Sequence, residues 1–301
     1  MTFALGLAGL FFGGDWLVKG ASGIARHYRV PPLVIGLTIV GFGTSAPELL
    51  VSLDAALRGA PGIAIGNVVG SNIANILLIL GVAALIGPLV APFARLRRDL
   101  AWMVAAALVT VPVFWSGHVG RIEGTLLVLG IAIYILMNLR QAGSEPEVDE
   151  VLPPLWRAAA FTLVGLAVVL VGAQLLVDSA TELARHAGIS EAVIGLTIVA
   201  VGTSLPELAT SVVAAMRGER EIALGNVVGS NVFNVFSILG ITALVSPIPV
   251  EPRFLSFDVP AMCVVSLLLV ALLWRNGGLG RISGALLLAL YAIYISALAL
   301  T

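Results

Sequence analysis

Charge is what this sequence has least of: Asp, Glu, Lys and Arg make up only 11% of its 301 residues. A soluble globular domain carries about 25%, so the composition excludes one. The 16 basic and 17 acidic side chains leave a net charge of −1. That provides no cationic surface for nucleic acid, whose binding needs clustered Lys and Arg. A single cysteine, Cys263, excludes an intramolecular disulfide. The first residues, MTFALGLAGLFF, lack the basic start of a secretory leader, so they read as a first membrane span.

What is present is apolar: 59% hydrophobic residues, mean hydropathy +1.07, with 33 Gly and 15 Pro among them. This is the composition of an all-α polytopic membrane protein, which satisfies its backbone within each span. A β-barrel would alternate polar and apolar residues, and runs such as Leu163–Val171 do not. A helix crosses about 30 Å of hydrocarbon with about 20 apolar residues. Ten segments qualify: 2–20, 33–57, 63–87, 100–116, 122–139, 155–177, 192–216, 222–245, 258–274 and 282–300. The segment 140–154 between the fifth and sixth is acidic and proline-bearing, a linker too short to be a domain. Odd-numbered loops hold twelve of the basic residues and even-numbered loops four. Basic loops stay cytoplasmic, which places a multi-pass protein in the cell membrane with both termini outside and the linker inside.

The chain repeats itself at an offset of 159 residues. VIGLTIV at 34–40 recurs at 193–199, GTS at 43–45 recurs at 202–204, and GNVVGSN at 66–72 recurs at 225–231. Residues 25–81 and 184–240 share 34 identities in 57 ungapped positions. The halves, 1–139 and 155–301, each hold five spans. Five is odd, so the second half enters from the opposite face, an inverted-topology pair of the kind that places transporter sites near the midplane.

Glu48 and Glu207 lie mid-span in GTSAPE and GTSLPE. A carboxylate at that depth is costly without a partner, and spans two, three, seven and eight carry no Lys or Arg away from their ends. Two such acids ask for a cation. Thr44 and Ser45 precede Glu48 by four and three positions, and Thr203 and Ser204 precede Glu207 alike, which on a helix is one face. Pro47 and Pro206 lack an N–H and free carbonyls of the preceding turn. Ser71 with Asn75, and Ser230 with Asn234, are four apart and add neutral oxygens. Hard oxygens suit Ca²⁺, and Na⁺ is of similar size; no Cys or His falls here to suggest a softer metal. Gly66, Gly70, Gly225 and Gly229 read as helix-packing positions, Ser52 and Ser211 as support behind the acids. Asp15 and Asp178 read as solvated or capping, and Trp102 and Trp274 as interfacial anchors.

GTSAPE with GNVVGSNIAN, and GTSLPE with GNVVGSNVFN, resemble the two alpha-repeats of the cation/calcium exchanger superfamily, and within it the sodium/calcium exchangers. The likeness covers essentially the whole chain. It implies a Ca²⁺ site of the Glu48 and Glu207 carboxylates with the Thr44 and Thr203 carbonyls. It also implies Na⁺ sites using Ser45, Ser71, Ser204 and Ser230, with backbone oxygens at Gly41 and Ala200; Asn75 and Asn234 occupy the remaining motif positions. Asn234 stands where potassium-dependent members have Asp, which argues against K⁺ dependence. By the same likeness, spans one and six slide against the rest to open each side in turn. The expected activity is Na⁺/Ca²⁺ antiport by alternating access, with no enzyme chemistry, no cofactor, and no partner beyond the two ions and the bilayer. A Ca²⁺/H⁺ antiporter on the same scaffold is the nearest alternative; an intramembrane acid/base enzyme and a passive channel are more distant ones.

Overall fold

The computed structural model describes residues 2–140, 154–186 and 200–298. Most of the linker 140–154 and the second VIGLTIV copy at 193–199 lie outside these. The helices are α1 (Thr2–Tyr28), α2 (Pro32–Thr44), α3 (Ala46–Leu57), α4 (Pro61–Ile86), α5 (Phe93–Trp115) and α6 (Arg121–Leu139) in the first half. In the second half they are α7 (Leu155–His186), α8 (Leu205–Met216), α9 (Arg220–Val245), α10 (Phe254–Asn276) and α11 (Arg281–Leu298). A helical turn, Ala200–Gly202, precedes α8.

Seven of these helices are long and apolar enough to cross a membrane, and the bent pair α2–α3 makes an eighth. The chain is thus a multi-pass helical membrane protein. Two of the ten expected spans fall outside that count. Helix α1 has 27 residues, about 40 Å at 1.5 Å per residue, but Asp15 and Lys19 dilute its apolar run. The seventh expected span, 192–216, begins outside the described residues and continues as α8.

Proline marks the helix breaks beside the two acids. Pro47 and Pro206 sit in the first turns of α3 and α8, and the serine just before each helix leaves helical geometry: Ser45 at φ −82°, ψ 7° and Ser204 at φ −88°, ψ 3°. At Ser45 the α2–α3 axis bends by 42°. Beyond each Asn-bearing motif the helix widens to π-type turns, over Asn75–Ile79 in α4 and Asn234–Leu239 in α9. Such local widening is frequent at functional sites.

Two arrangements tie the halves together. Helices α1 and α7 lie backbone to backbone: a Cβ on Gly20 would come within 2.4 Å of the Thr162 nitrogen, and one on Gly165 within 2.3 Å of the Leu17 nitrogen. Contact positions rise along α1 as they fall along α7, so the two run antiparallel. Two small antiparallel sheets then pair a strand of each half, β1 (Leu89–Val90) with β4 (Gly278–Leu279) and β2 (His118–Val119) with β3 (Ile248–Pro249). Helix α5 runs from β1 to β2 and α10 from β3 to β4, so these equivalent helices are antiparallel too. Helix α9 is enclosed almost entirely by its neighbours, whereas α11 faces mostly outward.

Candidate functional site

The helix starts after Ser45 and Ser204 carry the two acids inward. Glu48 and Glu207 are each only 1% exposed. The serine before each acid serves the acid of the other half. Ser45 Oγ donates to Glu207 Oε1 at 2.9 Å, and Ser204 Oγ approaches Glu48 Oε1 at 3.5 Å. The second oxygen of each carboxylate, Glu48 Oε2 and Glu207 Oε2, is buried with no hydrogen-bond partner. No Lys or Arg is paired with either acid among the described residues.

The threonines and glycines at the two breaks are held by further bonds. Thr44 Oγ1 bonds the Val40 carbonyl at 3.0 Å and meets Asn226 Oδ1 at 3.1 Å. Thr203 Oγ1 lies 3.5 Å from Asn67 Oδ1, the equivalent contact. Ser230 Oγ donates to the Gly41 carbonyl at 3.4 Å, which also accepts the Ser45 N–H at 3.2 Å. Ser71 is buried one turn before Asn75 in α4. At the second break the Ser204 N–H reaches the Val201 carbonyl at 3.1 Å, one residue beyond Ala200.

Four asparagines that the motif reading left without a role build the frame. Asn67 Nδ2 donates to the Glu48 carbonyl at 3.0 Å and to Ser52 Oγ at 2.8 Å. Asn226 Nδ2 does the same for the Glu207 carbonyl at 3.2 Å and Ser211 Oγ at 2.9 Å. Asn75 Nδ2 donates to Asn231 Oδ1, and Asn234 Nδ2 to Asn72 Oδ1, both at 3.0 Å. Asn72 and Asn231 each also donate to the other's backbone carbonyl, at 3.4 and 3.2 Å. With their N–H groups committed, Asn75 and Asn234 leave Oδ1 buried and without a partner. Rotating either amide would set oxygen against oxygen, so the orientation is fixed by the bonds. The signal in the sequence was repetition: every one of these asparagines recurs at the 159-residue offset.

The other polar residues resolve as follows. Asp15, expected to be solvated or capping, pairs with Arg217 at the end of α8. Asp178 accepts from Gln174 one turn earlier, at 2.8 Å. Trp102, expected at the membrane interface, instead packs its ring 5.6 Å from those of Tyr134 and Phe236. Gly225 and Gly229 do carry close packing, since an added Cβ on Gly229 would meet the Leu37 carbonyl at 2.4 Å. Gly66 makes only an ordinary contact with Phe254, at 3.9 Å.

The residues gathered here are two carboxylates, hydroxyls, amide oxygens and carbonyls from two equivalent halves, which is a set for a hard cation. The family model described as "Sodium/calcium exchanger protein" matches residues 1–140 and 157–300. Sodium/calcium exchanger MaX1 of Methanosarcina acetivorans is 36% identical, over 98% of this chain and 97% of its own. The putative antiporter CaxA of Alkalimonas amylolytica is 37% identical, over 96% of this chain and 95% of its own. Among solved structures, the sodium-calcium exchanger NCX_Mj soaked with Na⁺ and Sr²⁺ matches with a TM-score of 0.88. It is 38% identical and the match covers 98% of this chain and 96% of that one.

Proposed function

The chain belongs to the sodium/calcium exchanger family, and we propose that it exchanges Na⁺ for Ca²⁺ across the membrane by alternating access, holding both ions between Glu48 and Glu207. The observation that carries this reading is the set of four buried oxygens without partners: Glu48 Oε2, Glu207 Oε2, Asn75 Oδ1 and Asn234 Oδ1. A buried acceptor left unpaired costs about 1–3 kcal/mol, more if charged. Two of the four are on acids, and no basic side chain is paired with either acid among the described residues; in this reading a bound cation satisfies them.

In this reading Ca²⁺ takes the two carboxylates and the Thr44 and Thr203 carbonyls. Na⁺ takes Ser45, Ser71, Ser204 and Ser230 with the backbone oxygens of Gly41 and Ala200. Asn75 and Asn234 turn their free amide oxygens to the same space. Two carboxylates supply a charge of −2, which one Ca²⁺ balances. The ions share ligands and displace one another, and an empty site carries two unneutralised buried charges that resist crossing. That penalty couples the fluxes without a chemical step and without a cofactor.

The architecture proposed is ten spans in two inverted five-helix halves, 1–139 and 155–301. The linker 140–154 lies inside and both termini outside. The antiparallel runs of α1 with α7 and of α5 with α10 support the inversion. The test is Ca²⁺ uptake by the reconstituted protein. An outward Na⁺ gradient at fixed pH should drive uptake. Uptake driven by a pH gradient alone, in the absence of Na⁺, would reject this reading in favour of proton coupling.

A further inference from the structure

The outer face of the α1–α7 pair carries a groove of about 410 Å³ lined by Trp16 of α1 and Trp156, Arg157, Ala160, Phe161 and Val164 of α7. We propose that this groove binds an anionic phospholipid of the surrounding bilayer. An acyl chain lies along Trp16, Ala160 and Val164, and the phosphate rests between Lys19 and Arg157.

Three observations converge on that occupant. The first is charge. Lys19 and Arg157 have no carboxylate partner among the described residues. Each instead stands near an aromatic ring at the groove: Lys19 Nζ is 6.0 Å from the Phe161 centroid, and Arg157 Cζ is 5.3 Å from that of Trp156. Cations held over rings at the edge of an apolar groove are complementary to a headgroup phosphate above hydrocarbon, and juxtamembrane cations recognise anionic lipids in this way.

The second is position. Because α1 and α7 run antiparallel, the second half of α1 and the start of α7 come to the same end of the pair. This end holds the basic loops assigned to the cytoplasmic side, where anionic headgroups attract Lys and Arg. The lining is turned outward, Trp156 being 67% exposed and Val164 50%.

The third is asymmetry. Ordinary interfacial anchoring puts aromatic residues at both membrane surfaces. At the equivalent place on the opposite end, Trp16 and Lys19 become Leu175 and Asp178, and Phe161 and Val164 become Thr2 and Leu5. Leu175 and Asp178 thus give the equivalent place neither the tryptophan nor the cation that α1 gives the groove.

Tryptophan quenching by brominated lipid in vesicles tests the proposal, since Trp16 and Trp156 are two of the five tryptophans. The full chain is reconstituted in phosphatidylcholine in which a small fraction is replaced by brominated phosphatidylglycerol or by brominated phosphatidylcholine. The phosphatidylglycerol should quench with an apparent affinity about thirtyfold higher, as expected of two cations at the surface, and the preference should weaken with salt. The W16F/W156F variant should be quenched equally by both lipids. K19Q/R157Q should lose the preference and K19R/R157K should retain it. Equal quenching of the unmodified protein by both lipids overturns the proposal whatever the variants do. Survival of the preference in K19Q/R157Q, or in W16F/W156F, overturns it as well, because attraction would then be general rather than seated in this groove. The quenching is read without any ion flux, so it stands or falls apart from the antiport reading.

Discussion

The inner ring and the outer shell of this protein treat their two halves differently. Around the acids, nearly every bond occurs twice: Ser45 to Glu207 and Ser204 to Glu48, Asn67 to the Glu48 carbonyl and Asn226 to that of Glu207, Asn75 to Asn231 and Asn234 to Asn72. Farther out the pairing is incomplete. Asp15 pairs with Arg217, yet its equivalent is Gln174, which bonds Asp178, while Arg58, the equivalent of Arg217, pairs with Asp54 of its own helix at 2.7 Å. Between α5 and α6, Arg98 donates to Asn138 at 2.8 Å and pairs with Asp99, where the second half has Phe257 and Leu298; the contact of Tyr294 with Asp258, at 2.9 Å, does have its counterpart in Tyr134 and Asp99. Where both halves share one ion, a change in either half alters the site. Where each half only packs against its own neighbours, the copies are free to find separate solutions.

The largest test of that contrast is at the acids. Glu48→Gln and Glu207→Gln should each lower Ca²⁺ uptake at least about a hundredfold, because removing one charge from a buried charge-paired site costs about 3–5 kcal/mol. Near-normal uptake in either variant would show that the ring is not used as a pair. One layer back, Asn67→Leu and Asn226→Leu should both destabilise the protein in thermal unfolding, by about 1–3 kcal/mol, through the buried carbonyl and hydroxyl that each leaves unpaired. A large loss in one and none in the other would break the equivalence of the halves. Ser71→Ala and Ser230→Ala should raise the Na⁺ concentration needed for half-maximal exchange by several-fold, about the worth of one hydrogen-bonding oxygen, with a smaller effect on apparent Ca²⁺ affinity. An equal rise in both would mark the serines as scaffold. The smallest effect belongs to the shell: Asp15→Asn should cost no more than about 1 kcal/mol of stability, the usual worth of a partly exposed ion pair, and leave uptake largely intact.

The repeat made much of this readable in advance. It singled out Glu48 and Glu207 as acids without bases, and helical spacing brought Ser45 and Ser204 to the same depth. It did not disclose that each serine would serve the opposite acid, since spacing along one helix fixes a face but not what the face meets. For the same reason the asparagines at 67, 72, 226 and 231 read only as motif letters; their donors are used up across helices that lie far apart in sequence. Thr44 is a further case. Its position one turn before Glu48 put it on the face of the acids, but spacing could not show its contact with Asn226 of the other half. Asp15 lies in the middle of α1, which runs on to Tyr28, and its partner Arg217 comes from the other half, which spacing along one helix does not show. Trp102 fits an interfacial residue by composition, and only the packing of Tyr134 and Phe236 draws it inward.

The two small sheets impose an order on biosynthesis. Strand β1 emerges from the ribosome with its backbone donors and acceptors unmatched, and its partner β4 is not translated until the last turn before the final helix. Strand β2 waits likewise for β3. A nascent first half therefore sits in the bilayer with two open strand edges, and truncating the gene before β4 would leave one of them permanently unclosed. Strand pairing between the membrane-inserted halves is consequently a late step, completed at both ends only when nearly all of the polypeptide has been delivered, whereas α1 and α7 are both translated before it.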